Sequence, residues 1–157
     1  MKRILFLLAI LTIAISCEEE FEPGATATKD LAGEWWVQLY NSDASAVLWG
    51  YERIATYNTS ADTEDSLWVN DYDHIFYGFR VKVPANLDQM TFGSSDIQAS
   101  YVDSLFTVNN GEIIEDGAVT PGGLTVDSIY FEVTDYSDTS SYVLAGYRHT
   151  GWPEDNH

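Results

Sequence analysis

The protein has 157 residues, of which 25 are Asp or Glu and only 7 are Lys or Arg. So acidic a chain repels nucleic acid phosphates and anionic membrane surfaces, and we expect no nucleic acid partner. An aromatic content of 14% argues against a disordered chain, and the length suits a single domain.

The chain begins with the pattern of an export signal. Lys2 and Arg3 precede the apolar run Ile4–Ile15, and the small residue Ser16 follows. Twelve helical residues span only about 18 Å, too little for a hydrocarbon layer about 30 Å thick. As a buried core helix, the run would have no polar face and Cys17 would have no partner. We therefore predict that residues 1–16 are a signal peptide.

Cys17 is the only cysteine in the chain. A lone thiol is unusual in an exported protein, because oxidising compartments favour paired cysteines. Ala14-Ile15-Ser16-Cys17 resembles a bacterial lipobox, where the chain is cut before a cysteine that receives fatty acyl chains such as palmitate. A plain signal peptide with an incidental cysteine is the alternative. Lipidation would anchor the mature chain to the outer membrane, since each buried methylene contributes about 0.8 kcal/mol.

Residues 17–29 are predicted to form a flexible acidic tether behind this anchor. Glu18-Glu19-Glu20 has two interpretations. It is a solvated spacer, as charge runs usually are, or it resembles the export signal of Bacteroidetes-type lipoproteins displayed on the cell surface.

Three runs in the first half of the chain have the pattern of β-strands. Residues 33–40 read GEWWVQLY, and residues 51–59 are rich in aromatic and β-branched side chains. Residues 75–83 read IFYGFRVKV, with apolar side chains on one face and two basic ones on the other. We expect the third strand to end at Pro84.

Asn110-Gly111 is the strongest turn signal in the sequence. It lies between residues 104–109 and 112–117, both of which resemble strands. Asn and Gly tolerate the positive φ angles of a type I′ turn, so this arrangement predicts a β-hairpin.

The chain is broken again at Pro121-Gly122-Gly123, and two further strands are predicted at residues 124–134 and 141–149. No long stretch has a helical period. About eight short strands joined by turns predict one all-β, antiparallel sandwich or closed barrel over residues 30–157. We expect a monomer.

Several segments together resemble a known family. Gly33-Glu34-Trp35 is similar to the Gly-x-Trp signature of lipocalins and other calycins. The wider set resembles the lipid-binding, calycin-like lipoprotein family of the Bacteroidetes type, whose members carry the label of hydrolase. The segments are LAGEWWVQLY, ATYNTS, SLWVND, MTF, NNGEII, VDSIYFEV and AGYRHTGWPED.

This resemblance implies a lipocalin-like barrel with a hydrophobic or lipid ligand. It also implies that Trp35 closes one end of the barrel against a basic residue of the last strand. Arg148 is the matching residue, because a guanidinium can stack on an indole ring. A surface arginine that only offsets the negative charge is the alternative.

The aromatic side chains suggest a binding function. We predict that Trp35, Tyr57, Tyr77 and Phe79 contact a ligand in the barrel lumen. An exposed aromatic platform for glycans or proteins is the alternative, and side chains of a small barrel can also fill its interior completely.

The sequence shows little sign of catalytic chemistry. Gly93-Ser94-Ser95-Asp96 does not satisfy the Gly-x-Ser-x-Gly motif of hydrolases. His74 beside Asp71 and Asp73 is the best nucleus for a Ser-His-Asp group, which keeps a lipid-ester hydrolase as a third hypothesis. Residues 70–74 lack the pattern of a calcium loop and are interpreted as a solvated acidic turn. We therefore assign no catalytic residue, metal or cofactor.

Overall fold

The computed structural model of the protein describes residues 25–157, and this range contains eight β-strands. The predicted signal peptide, the lipidation site at Cys17 and the run Glu18-Glu19-Glu20 lie outside the described residues. The strands form a closed antiparallel barrel in chain order, which confirms the predicted fold class. They are β1 (Gly33–Asn41), β2 (Val47–Asn58), β3 (Ser66–Asn70), β4 (Arg80–Asn86), β5 (Thr91–Gln98), β6 (Leu105–Val119), β7 (Thr125–Asp135) and β8 (Ser140–Arg148).

The barrel closes where β1 pairs with β8, with Trp35 opposite Arg148 and Leu39 opposite Leu144. Because neighbouring strands run antiparallel in chain order, successive loops alternate between the two ends of the barrel. We call one end the mouth; its loops are 42–46, 71–79, 99–104 and 136–139. We call the other end the base; its loops are 59–65, 87–90 and 120–124, and the 3₁₀ turn Lys29–Leu31 lies beside them.

Inward-facing side chains fill the barrel. Alternation along each strand turns every second residue inward, and these residues are buried in one hydrophobic cluster. The largest of them with almost no exposed surface are Trp35, Phe79, Phe106 and Phe131. The interior is therefore packed by the protein itself, one of the two outcomes expected for a barrel of this size.

Helical structure is minor in residues 25–157. The 3₁₀ turns Lys29–Leu31 and Pro153–Asp155 contain three residues each. No helix in this part of the chain is long and apolar enough to cross a membrane.

The strand predicted at residues 75–83 is wrong in its first half. Residues 71–79 form the loop between β3 and β4, and β4 begins only at Arg80. Gly78, in the middle of the predicted strand, has a positive φ of 73°, which regular strand geometry excludes. The alternating apolar residues of this segment therefore do not share one face of a sheet.

Pro84 lies inside β4 rather than at its end. The N–H of Ala85 donates to the carbonyl of Asp65 on the β3 side, so the nitrogen of Pro84 faces β5. Proline has no hydrogen to donate there. In agreement, β4 and β5 pair only at Ala85–Phe92 and Asn86–Thr91, which leaves the barrel wall parted along this seam.

The hairpin predicted at Asn110-Gly111 is also wrong, since β6 runs without a turn from Leu105 to Val119. Asn110 does have a positive φ of 50°. The register with β7 shifts between Asn109 and Glu112, as expected at a β-bulge. The dipeptide thus bends one long strand instead of joining two short ones.

The remaining strand predictions are confirmed with small changes at their ends. Residues 33–40, 51–59, 124–134 and 141–149 correspond to β1, β2, β7 and β8. The short strands β3 and β5 were not predicted, because SLWVN and TFGSSDIQ are too brief or too polar to show a clear alternation.

Candidate functional site

The base of the barrel is closed by Trp35. Its indole is fully buried, and the Arg148 guanidinium carbon lies 4.6 Å from its ring centroid. The indole Nε1–H donates to Thr56 Oγ1 over 2.9 Å. A Cβ atom on Gly33 would lie only 2.6 Å from an Arg148 nitrogen, which explains the glycine of Gly-x-Trp.

Arg148 is held on several sides at once. It donates from Nε to Asp127 Oδ2 over 3.0 Å and from Nη1 to the carbonyl of Ala32 over 3.0 Å. A cleft of about 390 Å³ beside it is lined by Lys29, Asp30, Met90, Glu115, Asp127 and Arg148. Five of these six side chains are charged residues, so the base does not offer a hydrophobic ligand an apolar surface.

The mouth is closed differently, by side chains of loop 71–79. Phe76 is 6% exposed and Phe79 is 1% exposed. Their ring centroids lie 5.6 Å apart, and the Phe76 ring also lies 5.5 Å from Tyr142. Phe79 meets Phe106 edge to face at 5.0 Å. These four rings, which we call the mouth cluster, occupy the barrel just below its rim.

Two aspartates fasten this loop. Asp71 is fully buried, and its carboxylate accepts hydrogen bonds from the N–H groups of Asp73, Ile75 and Phe76 at 3.0, 3.2 and 2.7 Å. Asp73 accepts one from Gly78 N–H at 2.7 Å. The acidic turn predicted here is therefore not solvated at Asp71, because its carboxylate replaces water for three backbone donors.

Burial also changes the acidity of Asp71. Loss of hydration raises the pKa of its carboxyl group to about 6, against the opposing effect of the three N–H donors. The group that holds loop 71–79 in place therefore titrates at mildly acidic pH.

The rim of the mouth is rich in exposed hydrophobic side chains. Of twelve large hydrophobic residues that are exposed in the described chain, eight lie on or beside the mouth loops. Their exposed fractions run from 39% for Leu105 to 82% for Tyr77. The eight are Val47, Leu48, Trp49, Tyr72, Tyr77, Tyr101, Leu105 and Tyr136.

The structure does not bring the four predicted ligand contacts together. Phe79 belongs to the mouth cluster, and Tyr77 projects from the same loop into solvent. Tyr57 is half-buried on β2, and Trp35 lies at the base. Sequence patterns did not reveal Phe76, Phe106 and Tyr142, whose meeting depends on three segments far apart in the chain.

A second candidate site is a cleft of about 640 Å³ in the wall, where β4 and β5 part. Phe92 and Val108 lie among its lining residues, but the majority are polar or glycine. They include Asn86, Gln89, Thr91, Ser94, Asn109, Asn110 and Glu112. This chemistry suits a polar ligand better than an acyl chain.

The His74 ring is not joined to either neighbouring aspartate. Its Nδ1 lies 3.5 Å from Glu52 Oε2, while both oxygens of Asp71 are occupied by backbone N–H groups. Within residues 25–157, no group of three His, Cys, Asp or Glu is arranged to hold a metal ion.

Comparison with known proteins identifies a family. The sequence matches the model of the family described as "lipid-binding putative hydrolase" over residues 20–153. No curated protein matches the chain significantly. The matched region contains all eight strands and every residue of the mouth cluster.

Proposed function

The chain belongs to the lipid-binding putative hydrolase family, and from this premise we propose that it binds a small hydrophobic or lipid-like molecule at the mouth of the barrel. One observation carries the proposal. At the mouth, two of the four closing rings, Phe76 and Phe79, come from a loop, whereas the base is closed by the strand residue Trp35 and its hydrogen-bonded partner Thr56.

Loop 71–79 is the part of the mouth that can make way for a ligand. Its anchors are the hydrogen bonds of two carboxylates and ring contacts, which a local opening gives up without separating any pair of strands. An acyl chain that replaced Phe76 would meet Phe79, Phe106 and Tyr142 and would recover their apolar contacts. The exposed rim adds further apolar surface for a ligand as it enters.

We propose binding rather than hydrolysis. The His74 ring is oriented by Glu52, and the nearby Asp71 carboxylate serves the loop backbone. Neither arrangement activates a serine or a water molecule.

The test of the mouth uses the neutral fluorescent probe N-phenyl-1-naphthylamine on residues 25–157, which contain the complete barrel. Phe76→Ala opens apolar space in the mouth, so the probe should bind at least about fivefold more tightly than to the unmodified domain. Phe92→Ala is the matched control, since it removes a buried ring from the wall cleft instead. Fluorescence titration gives both affinities, and urea unfolding checks that each variant is folded.

A larger gain in Phe92→Ala than in Phe76→Ala would place the hydrophobic site in the wall cleft and contradict the mouth proposal. Failure of every form to bind the probe would contradict hydrophobic ligand binding as such.

The location of the protein is a further part of the proposal. We propose that the mature protein starts at an acylated Cys17 and is anchored to the outer membrane, with Glu18-Glu19-Glu20 directing it to the cell surface. Its support is the sequence pattern before and after Cys17. The described chain enters the barrel at the base, where Ala27 N–H donates to Asp62 Oδ1.

Replacing Cys17 with serine should move the protein from the membrane fraction to the soluble fraction, because serine cannot form the thioether that carries the acyl chains. Fractionation of cells, with mass spectrometry of the intact protein, measures this change. Lipidation would be refuted if the Cys17→Ser protein stayed in the membrane fraction and its mass differed from that of the unmodified protein only by the exchange of cysteine for serine.

A further inference from the structure

Arg80 is an unusual residue in this acidic chain. Residues 25–157 hold 21 Asp and Glu but only five Lys and Arg. The other two arginines of this region are paired with carboxylates, Arg53 with Glu34 and Arg148 with Asp127. Arg80 has no carboxylate partner among the described residues, although acidic side chains outnumber basic ones fourfold.

Aromatic rings surround Arg80 instead. Its guanidinium carbon lies 4.8 Å from the ring centroid of Trp68, 5.1 Å from Tyr101 and 5.9 Å from Tyr57. One terminal nitrogen donates to the hydroxyl of Tyr101. Its Nε–H is buried without any hydrogen-bond partner. A guanidinium in this setting is partly dehydrated, which strengthens its attraction for an anion.

Lys82 adds a second cation on the same face. It lies two residues along β4, about 7 Å away by strand geometry, and opposite Trp68 on β3. Hydrogen bonds from Thr63 and Ser66, and then the charge of Lys82, lower the pKa of Asp65. Asp65 therefore stays ionised and offsets part of the Lys82 charge, whereas the Arg80 guanidinium has no carboxylate partner among the described residues.

Arg80 is also linked to the mouth. It directly follows Phe79 of loop 71–79, and Tyr101 belongs to the adjacent mouth loop 99–104. These two loops pack against each other, since the Val102 side chain lies directly over Gly78. The bond between Arg80 and Tyr101 therefore helps to fasten both loops over the mouth cluster.

We infer that Arg80, assisted by Lys82, binds the anionic headgroup of the ligand, so that the ligand is an anionic amphiphile such as a fatty acid or an alkyl phosphate. This inference rests on the proposed lipid-binding function. The headgroup takes the place of the Tyr101 hydroxyl on Arg80, which loosens loop 99–104 and, through Val102, loop 71–79. Headgroup recognition and opening of the mouth are then one event.

The negative charge of the domain does not oppose this arrangement. An anionic membrane surface is repelled because the net charge of the whole domain acts on many headgroups at once. A single headgroup meets the local field of two cations, and a partly buried arginine–carboxylate pair is stronger than an exposed one.

The test compares three ligands of equal chain length on residues 25–157 at pH 8: dodecanoate, dodecyl phosphate and the uncharged 1-dodecanol. Displacement of N-phenyl-1-naphthylamine reports the affinity of each. At least one anion should bind about tenfold more tightly than the alcohol, and the stronger of the two identifies the headgroup as carboxylate or phosphate.

Arg80→Gln should remove this advantage, a loss of about tenfold for the preferred anion, and should leave dodecanol affinity unchanged. Arg80→Lys should restore part of the advantage and covers the case in which Arg80→Gln folds poorly. Arg53→Gln is the matched control, because Arg53 is an arginine of the outer wall that already has a carboxylate partner.

Equal binding of anions and alcohol by the unmodified domain would overturn the headgroup assignment and leave lipid binding intact. An equal effect of Arg80→Gln and Arg53→Gln would also overturn it. Absence of binding for all three ligands and the probe would instead contradict the proposed function. Binding of glucuronate oligosaccharides that depended on Arg80, without binding of either anionic amphiphile, would assign the site to an acidic glycan and refute the inference.

Discussion

Replacement of Trp35 with alanine is expected to lower the free energy of unfolding by about 3–5 kcal/mol, the range for a large aromatic residue removed from a core. The indole has no exposed surface, and it carries both the hydrogen bond to Thr56 and the contact with Arg148. Urea unfolding of residues 25–157 measures the change. Trp152→Ala is the matched control and should change stability by less than about 0.5 kcal/mol, because Trp152 is 58% exposed.

A double-mutant cycle tests whether Trp35 and Arg148 act together. Arg148→Ala alone should cost less than Trp35→Ala, since its side chain is partly exposed. Residues in direct contact usually share an interaction energy of about 0.5–3 kcal/mol, so the two effects should not add. A coupling energy of zero would mean that the stacked guanidinium contributes nothing to closure of the base.

Removal of the Asp71 carboxylate is the second change with a large expected effect. Asp71→Ala leaves three backbone N–H groups of loop 71–79 without their acceptor. Because an unsatisfied buried donor costs about 1–3 kcal/mol, and water can reach part of an opened loop, we expect a loss of about 2–4 kcal/mol. Asp73→Ala is the control: it removes the single bond to Gly78 and places alanine at a positive φ, so it should cost about 1–2 kcal/mol.

This effect should depend on pH in a defined direction. The pKa of Asp71 is raised to about 6 in the fold, above its ordinary value of 3.8. The folded state therefore favours the protonated carboxyl group, and the associated stability is present below pH 4 and is lost as the pH rises through 6. A shift of this size corresponds to about 3 kcal/mol.

The free energy of unfolding lost through Asp71→Ala, relative to the unmodified domain, should consequently be larger at pH 4.5 than at pH 7.5. Urea unfolding at the two pH values measures it, and groups common to both proteins cancel in the difference. If this loss instead grew with pH, the three N–H donors would have a larger effect on the pKa of Asp71 than its burial, and the carboxyl group would be ionised in the fold.

The closed barrel could be predicted from sequence because its determinants are local and repeated. Apolar alternation in β1, β7 and β8 is continuous, and turn residues separate the strands. The order of strands then follows from the preference of antiparallel neighbours for short connections.

Loop 71–79 could not be predicted, because two signals in it conflict. Ile75, Tyr77 and Phe79 alternate as in a strand, while Asp71 and Asp73 favour turns. Contacts inside the barrel favour the loop. There Phe76 and Phe79 both point inward and contact Phe106 and Tyr142 of distant strands. A single sequence gives no measure of that gain.

Asn110-Gly111 illustrates a different limit. The dipeptide permits a positive φ, and both a type I′ turn and a β-bulge use that conformation. The choice between them depends on whether β5 and β7 extend past this point to pair with β6, as they do at Phe92 and Tyr130.

The sequence identifies Arg80 only as a basic residue of a strand. The rings that surround it come from β2, β3 and loop 99–104, which are separate segments of the chain.

Hydrogen exchange with and without dodecanoate tests the central claim, a lipid-like ligand at the mouth, most directly. The amides of residues 71–79 and 99–104 should change their exchange rates on binding, by mass spectrometry of peptides from residues 25–157, while the base loops 59–65 and 120–124 should not. Bound dodecanoate with changes confined to the wall cleft, residues 84–94 and 108–112, would contradict the account.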